Sequence, residues 1–261
     1  MNISVIGAGN MGGATAWGLL KSSTCKAQEL KVADPSSDKL QPFASNGVKT
    51  FTDNKAAIQG AELVMVFVKP WLVKAVLEEI KPVLDYDRQM LVVIAAGVSS
   101  DNVKAWLKKD DGTTPSFFLA IPNIAIAQLS SMTFLVPITV GQEQTETVKS
   151  IFDSMGRTII VEERLLAAGT TLASCGLAYA MRYVRASSEG GVEMGFYPDD
   201  AKAIVLQTVK GAVELLQANG NHPEAEIDKV TTPGGVTIRG LNEMEHAGFT
   251  SAVIRGLKAG L

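Results

Sequence analysis

Only two cysteines, Cys25 and Cys175, and two histidines, His222 and His246, occur among the 261 residues. They are scattered, so neither the spacing of a zinc site nor a disulfide framework is present, and no metal site is expected. So sparse a thiol content suits a reducing compartment. Aromatic residues make up 6%, too few for a platform on which bases would stack. Basic residues (24) do not exceed acidic ones (27), which leaves no cationic surplus for a phosphate backbone; no nucleic-acid partner is expected. The longest apolar runs, such as 63–68, are far shorter than a bilayer span, so no membrane partner is expected either. The N-terminus lacks a basic segment followed by a long apolar core, and the expected location is cytoplasmic. Repeats and low-complexity tracts are also missing.

What remains is a globular composition, 46% hydrophobic and 20% charged. Short apolar runs at 3–6, 29–33, 63–68 and 90–95 end at Gly, Asp, Lys-Pro or Ala-Gly. Continuous apolar runs of strand length read as strands buried on both faces of a parallel sheet. Helical patterns at 11–20, 36–46, 71–83 and 101–108 separate them, and further strands fit 117–121, 133–137 and 158–161. Alternation of this kind predicts a doubly wound α/β sheet. Beyond residue 161 the pattern becomes helical throughout, at 164–188, 199–218, 236–247 and 250–258. Two domains are therefore expected, 1–161 and 162–261. The 199–218 helix is apolar around most of its circumference (Ile204, Val205, Leu206, Val209, Val213, Leu215, Leu216). Such a helix needs burial that a small helical domain is short of. A second copy of the chain is the expected cover; a central place in its own bundle is the alternative.

The first strand runs directly into Gly7-Ala8-Gly9-Asn10-Met11-Gly12. Between a strand and a helix, G-x-G-x-x-G marks a dinucleotide site: Gly7 for the turn, Gly9 for close approach of a pyrophosphate, Gly12 for helix packing on the strand. Asp34 closes the second strand, where an acidic side chain accepts from a ribose 2′-hydroxyl and favours NADH; a cap for the next helix is the alternative role. Ser36, Ser37 and Lys39 follow and suit the 2′-phosphate of NADPH, so both cofactors stay open. Val68, Lys69 and Pro70 follow the strand at 63–68, and Ala95, Ala96 and Gly97 follow the next, at carboxyl ends where such sheets bind ligands. Near the C-terminus, Thr231-Thr232-Pro233-Gly234-Gly235-Val236-Thr237 leads into a helix. Two bare glycines and three hydroxyls at a helix start make a receptor for a small carboxylate, although an ordinary threonine-capped start would look the same. Cys175 has no nearby histidine to activate it and reads as a small buried residue. Trp17, Trp71 and Trp106 read as packing residues, and His222 as a solvated loop residue.

Taken together, 6–12, Val68-Lys69-Pro70, 95–98, 207–212, His222-Pro223, Asp228 and 232–238 resemble the pyrroline-5-carboxylate reductase family over nearly the whole chain. The Pro-Gly-Gly-x-Thr-Ile element is the most specific piece. The resemblance implies a Rossmann domain joined to an all-helical dimerisation domain. It also implies NAD(P)H-dependent reduction of a cyclic imino acid to proline, and a homodimer or larger homo-oligomer. It assigns Asn54 to the cofactor, Asn123 to both cofactor and substrate, and Pro233–Val236 to the substrate. Thr237 is assigned to the ring nitrogen as the catalytic residue. The family's Arg-x-Met-Pro-Asn-Thr-Pro stands here as Leu119–Ala125 without the Arg, the Met or the Thr-Pro, its small-residue Ser-Gly-Ser-x-Pro-Ala-Tyr stands as Ala173-Ser174-Cys175-Gly176-Leu177-Ala178-Tyr179, and Arg185 replaces a family Glu. Those departures keep two alternatives in view: a related reductase of another imine or of a hydroxy or keto acid, and a cofactor-binding homologue without turnover. The hydroxyacid enzymes place a lysine early in the long helix after the sheet, and 164–188 contains none.

Overall fold

In the computed structural model, which describes residues 1–94 and 97–261, the apolar runs of the first two-thirds join one eight-stranded sheet. The chain order is β1 (Ile3–Ile6), α1 (Asn10–Lys21), β2 (Leu30–Ala33), α2 (Ser37–Ala44), β3 (Lys49–Phe51), α3 (Asn54–Ile58), β4 (Leu63–Val66), α4 (Pro70–Ile80), β5 (Met90–Ile94) and α5 (Ser100–Leu107). It continues through β6 (Phe117–Ile121), β7 (Ser131–Ile138), α6 (Gln142–Asp153) and β8 (Gly156–Ile160). The spatial order is β3-β2-β1-β4-β5-β6-β7-β8, parallel at every pairing except β6–β7. Between β1 and β4 the chain reverses its direction of travel across the sheet, which opens a crevice at the carboxyl ends.

The burial explains the unbroken apolar runs. Ile3, Val5, Val32, Met65 and Val92 face one core, closed by Leu19 of α1, Phe43 of α2 and Phe152 of α6. Ile6, Val64, Val66 and Val93 face the other, closed by Ile58 of α3, Leu77 and Ile80 of α4, and Val103 and Leu107 of α5. Each central strand is covered on both faces and has no polar alternation to show. β3, α6 and the five-residue α3 fall outside the expected pattern because none has a long apolar signature. β3 is a three-residue edge strand with no apolar run, and α6 buries only Val148, Ile151 and Phe152, a single narrow stripe.

Ser4 is the exception within β1. It is fully buried, and its hydroxyl has no partner among the described residues. A buried hydroxyl without a hydrogen bond costs roughly 1–3 kcal/mol. Ser4→Ala is therefore expected to raise stability by about 1 kcal/mol, read as a higher urea midpoint at unchanged m-value. A fall of that size instead would reveal a bonding partner for the hydroxyl.

After β8 come a 3₁₀ turn (Glu163–Leu165), α7 (Leu166–Gly169), a π turn (Thr170–Cys175), α8 (Gly176–Glu193), α9 (Pro198–Asn219), α10 (Pro223–Lys229), α11 (Val236–His246) and α12 (Phe249–Lys258). The expected single helix over 164–188 is thus interrupted. Gly169 lies against the Phe134 ring with no room for a Cβ. Thr170 and Thr171 donate their hydroxyls back to the Leu166 and Ala167 carbonyls. Back-bonding of this kind loosens the regular ladder, here into a wider turn.

The chain divides into two compact units, Met1–Ser174 and Cys175–Leu261. The change from strands to helices comes near 161, whereas the first compact unit runs thirteen residues further. The reason is packing: Glu163 accepts from the Ser100 backbone N–H at 2.7 Å and from its hydroxyl, and Leu166 is buried in the core beneath α4 and α5. Within the second unit α8 and α9 pack together, with Gly191 so close to Ala201 that a Cβ would meet it at 2.9 Å. Gly191 and Ala201 are the only buried residues described in that unit. The apolar circumference of α9 is real, and within one chain it is largely exposed (Ile204, Leu206, Val213, Leu215).

Candidate functional site

The glycine loop leaves β1 as the spacing requires. Gly7 has φ +96°, and a Cβ there would fall 2.4 Å from the Phe67 carbonyl oxygen. At Gly12 a Cβ would fall 1.8 Å from the Gly7 carbonyl oxygen. Gly9, between them, has open space on the side where a Cβ would project. It is also the N-cap of α1, and no side chain caps that helix. The first N–H groups of α1, those of Asn10, Met11 and Gly12, therefore start a helix without a protein acceptor of the usual kind. Bare backbone at Gly9 and an uncapped helix start are what a pyrophosphate needs, so these residues fit a dinucleotide.

Asp34 is buried at the end of β2. Its Oδ2 accepts the Ala8 N–H at 2.9 Å and its Oδ1 accepts the Ser36 N–H at 3.0 Å, while Lys39 approaches at 3.4 Å. The carboxylate braces the glycine loop from behind. It is not the N-cap of α2, which is Ser36. Asn54 opens α3, and its amide donates to Glu79 of α4 at 2.9 Å. Val68, Lys69 and Pro70 follow β4; Lys69 is exposed at the N-cap of α4, and Pro70 takes the first helical position. Gly97, with φ +80°, follows β5 and has open space beside it. Ala95 and Ala96 lie outside the described residues.

Asn123 follows β6, next to β5, and is 5% exposed. Its backbone N–H donates to Ser131 Oγ at 3.1 Å, its Oδ1 accepts the Ala125 N–H at 3.1 Å, and its Nδ2 donates to the Ala173 carbonyl at 3.3 Å. Ser174 Oγ donates to the Pro122 carbonyl at 3.2 Å. Ser131 carries no motif and could not be selected from the sequence; Ala173 and Ser174 stand in a segment that departs from the family pattern, but nothing in that segment shows that they meet Asn123 and Pro122.

In the second unit, Gly234 has φ +70° and Gly235 is the N-cap of α11, again with no side-chain cap. A Cβ on Gly235 would fall 2.5 Å from Thr232 Oγ1. Pro233 and Val236 are exposed. Thr237 is half-buried in the first turn of α11, and its hydroxyl has no hydrogen bond among the described residues. Thr231 differs from the expectation. Its hydroxyl donates to the Ile227 carbonyl at 2.7 Å, which removes it from the set of free donors.

Burial, reinforced by Glu29, pushes the Cys25 thiol up to about 11, which makes it a poor nucleophile. Cys175 ends the π turn and is half-buried. Trp17 stacks on Phe43 and Trp106 packs against the core, but Trp71 is 75% exposed beside Pro70 and does no packing in this chain. His222 is exposed; its Nδ1 accepts the Glu224 N–H at the start of α10. Among the described residues no group of three or more His, Cys, Asp or Glu is arranged to hold a metal ion, and no helix is long and apolar enough to cross a membrane.

Comparison with known proteins matches residues 163–261 to the family described as pyrroline-5-carboxylate reductase dimerisation. Residues 2–97 match the family described as NADP oxidoreductase coenzyme F420-dependent. Pyrroline-5-carboxylate reductase 2 of Dictyostelium discoideum is 33% identical over 98% of this chain and 89% of its own length. Pyrroline-5-carboxylate reductase 1 of the same organism is 36% identical over 98% of this chain, which spans about half (48%) of that relative. The crystal structure of Plasmodium falciparum pyrroline carboxylate reductase with NADP bound shares the fold, with a TM-score of 0.89 at 23% identity over 100% of this chain and 95% of the other.

Proposed function

The chain belongs to the pyrroline-5-carboxylate reductase family, and from that premise we propose that it reduces 1-pyrroline-5-carboxylate to L-proline with NADPH or NADH, as a homodimer or larger homo-oligomer. The observation that carries this reading is a pair of uncapped helix starts led by glycine. One is α1 in the first unit with bare backbone at Gly9, and the other is α11 in the second unit with Gly234 and Gly235. The first suits a pyrophosphate and the second a small carboxylate. The NADP in the Plasmodium structure, whose fold is similar, supports the cofactor class.

A bound nicotinamide supplies the hydride. The chain supplies orientation. Gly7 and Gly12 set the turn, and the N–H groups of Gly9, Asn10 and Met11 receive the phosphates. Asp34 holds that loop at the ribose end, and Asn54, at the start of α3, would contact the cofactor. Val68, Lys69, Pro70 and Gly97 line the carboxyl ends of the strands on the way to the nicotinamide. Pro233, Gly234, Gly235 and Val236 hold the substrate carboxylate. The hydroxyl of Thr237 bonds the ring nitrogen and relays its proton; a threonine is too weak an acid to do more. As the ring carbon of the C=N bond accepts the hydride, the π pair moves to that protonated nitrogen. The exposed apolar side of α9 and the near-absence of buried residues in the second unit support a partner copy as the cover. A second reading, reduction of a different imine, is favoured by Ile124, half-exposed where the family places a threonine.

The test is to purify the chain, size it in solution, and follow reduced-nicotinamide absorbance with pyrroline-5-carboxylate and NADPH or NADH, with proline measured as product. Proline formation by a dimer or larger assembly is the expected result. Consumption only with another imine selects the second reading. Cofactor binding without any consumption would leave a binding protein, and a monomer would remove the proposed assembly.

A further inference from the structure

Two hydrogen bonds of opposite sense join the turn after β6 to the π turn. The side chain of Asn123 reaches the backbone of Ala173, and the side chain of Ser174 reaches back to the backbone of Pro122. Each turn thus supplies one side-chain donor and one carbonyl. Asn123 is braced on its other sides by Ser131 Oγ, itself 3.2 Å from Thr133 Oγ1, and by the Ala125 N–H. At 5% exposure and with both ends of its amide engaged, Asn123 has little surface left to present to a ligand.

The place of this clasp gives it a role. Asp34 and the glycine loop mark one end of the crevice along β2 and β1. Along the strand order β2-β1-β4-β5-β6, a dinucleotide held at the glycine loop would extend toward the carboxyl end of β6, where Pro122 and Asn123 lie. A π turn is a helix segment with one residue too many, and such turns recur at functional sites. Its position depends on what fixes it, since the intrahelical ladder alone does not.

We propose that Asn123 and Ser174 are positioning residues: they clasp the π turn (Thr170–Cys175) to the end of β6 and so fix the wall against which nicotinamide and imine are aligned, without Asn123 touching either. This rests on the reductase reading. It reassigns Asn123 from ligand contact to support, and gives Ser174, to which the resemblance assigned no role, a part in holding the turn. Hydride transfer is sensitive to placement, because misalignment by about 1 Å costs up to about a hundredfold in rate.

The test uses Asn123→Asp, which keeps the acceptor for Ala125 but loses the donor to Ala173, together with Ser174→Ala, the double variant, and Ser174→Thr, which keeps a hydroxyl. Each single loss is expected to lower kcat about tenfold or more while NADPH affinity, measured by direct titration, stays within about threefold. The double variant should be no slower than the worse single, because both act on one turn. Ser174→Thr should retain most of the activity. Hydrogen exchange of the backbone amides at 170–174, read on the cofactor-free protein, should quicken in both single variants. If Asn123→Asp loses cofactor affinity tenfold while Ser174→Ala behaves as wild type, Asn123 is a direct contact and the proposal falls. Unchanged exchange at 170–174 also overturns it. Inactivity of the unaltered protein toward pyrroline-5-carboxylate would instead count against the reductase reading, and the exchange measurement would still decide whether the clasp exists.

Discussion

Gly12→Ala is expected to abolish dinucleotide binding and to destabilise the first unit by about 3 kcal/mol or more, the range of severe overpacking. The new Cβ would lie 1.8 Å from the Gly7 carbonyl oxygen and 2.9 Å from Phe67 Cβ. The nearest obstacle is backbone, and Gly7 is itself pinned, with φ +96° and the Phe67 carbonyl against its α-carbon. No rotamer relieves the clash, so α1 must retreat from β1. Ala16 and Leu19 then leave the core, and the helix start leaves the position from which it would receive phosphate. Gly9→Ala is the control that separates packing from binding. Its Cβ meets nothing within 4 Å, so the melting temperature should hold while cofactor affinity falls. Thermal unfolding and cofactor titration on the two variants give the comparison. Wild-type affinity in Gly12→Ala, or an unimpaired Gly9→Ala, would remove the glycine loop as the dinucleotide site.

The second large effect is at Thr237. Thr237→Ala should slow imine reduction by roughly ten- to a hundredfold, the equivalent of losing one hydrogen bond to a charged group at about 1.5–3 kcal/mol. Cofactor affinity should stay unchanged, because the glycine loop and α11 belong to different units of the chain. The hydroxyl is available for this work. It is half-buried, in the first turn of an uncapped helix, and bonded to nothing among the described residues. Thr231 and Thr232 are not equivalent to it: the first is tied to Ile227, and the second lies against Gly235. Thr237→Ser should recover most of the rate. Parallel loss of turnover and cofactor affinity in Thr237→Ala would reject the assignment to the ring nitrogen.

Much of the backbone geometry of the candidate site is legible in the sequence, because that geometry is local. A glycine needed for a positive φ or for a bare helix start is needed by its immediate neighbours in the chain. Gly7, Gly9 and Gly12 therefore announce themselves, as do Gly234 and Gly235. The strands were legible because burial on both faces erases polar alternation, and β3 and α6 were not because neither has that signature.

What no spacing revealed is which side chains are already engaged. Asp34 to Ala8 spans 26 residues, Asn54 to Glu79 spans 25, and Asn123 to Ala173 spans 50. Each of these polar groups had a ligand as its expected partner, and each has a protein partner. Such pairings depend on which loops the sheet brings to one edge. The order β2-β1-β4-β5-β6 is a property of the packed strands, not of any segment within them. Amino-acid order alone thus set the buried strands, most of the longer helices and the glycine geometry, through steric and hydrophobic preferences that act within a few residues. Assembly into the sheet allotted the hydrogen-bonding groups, because a buried donor or acceptor must be satisfied by whatever the fold places beside it.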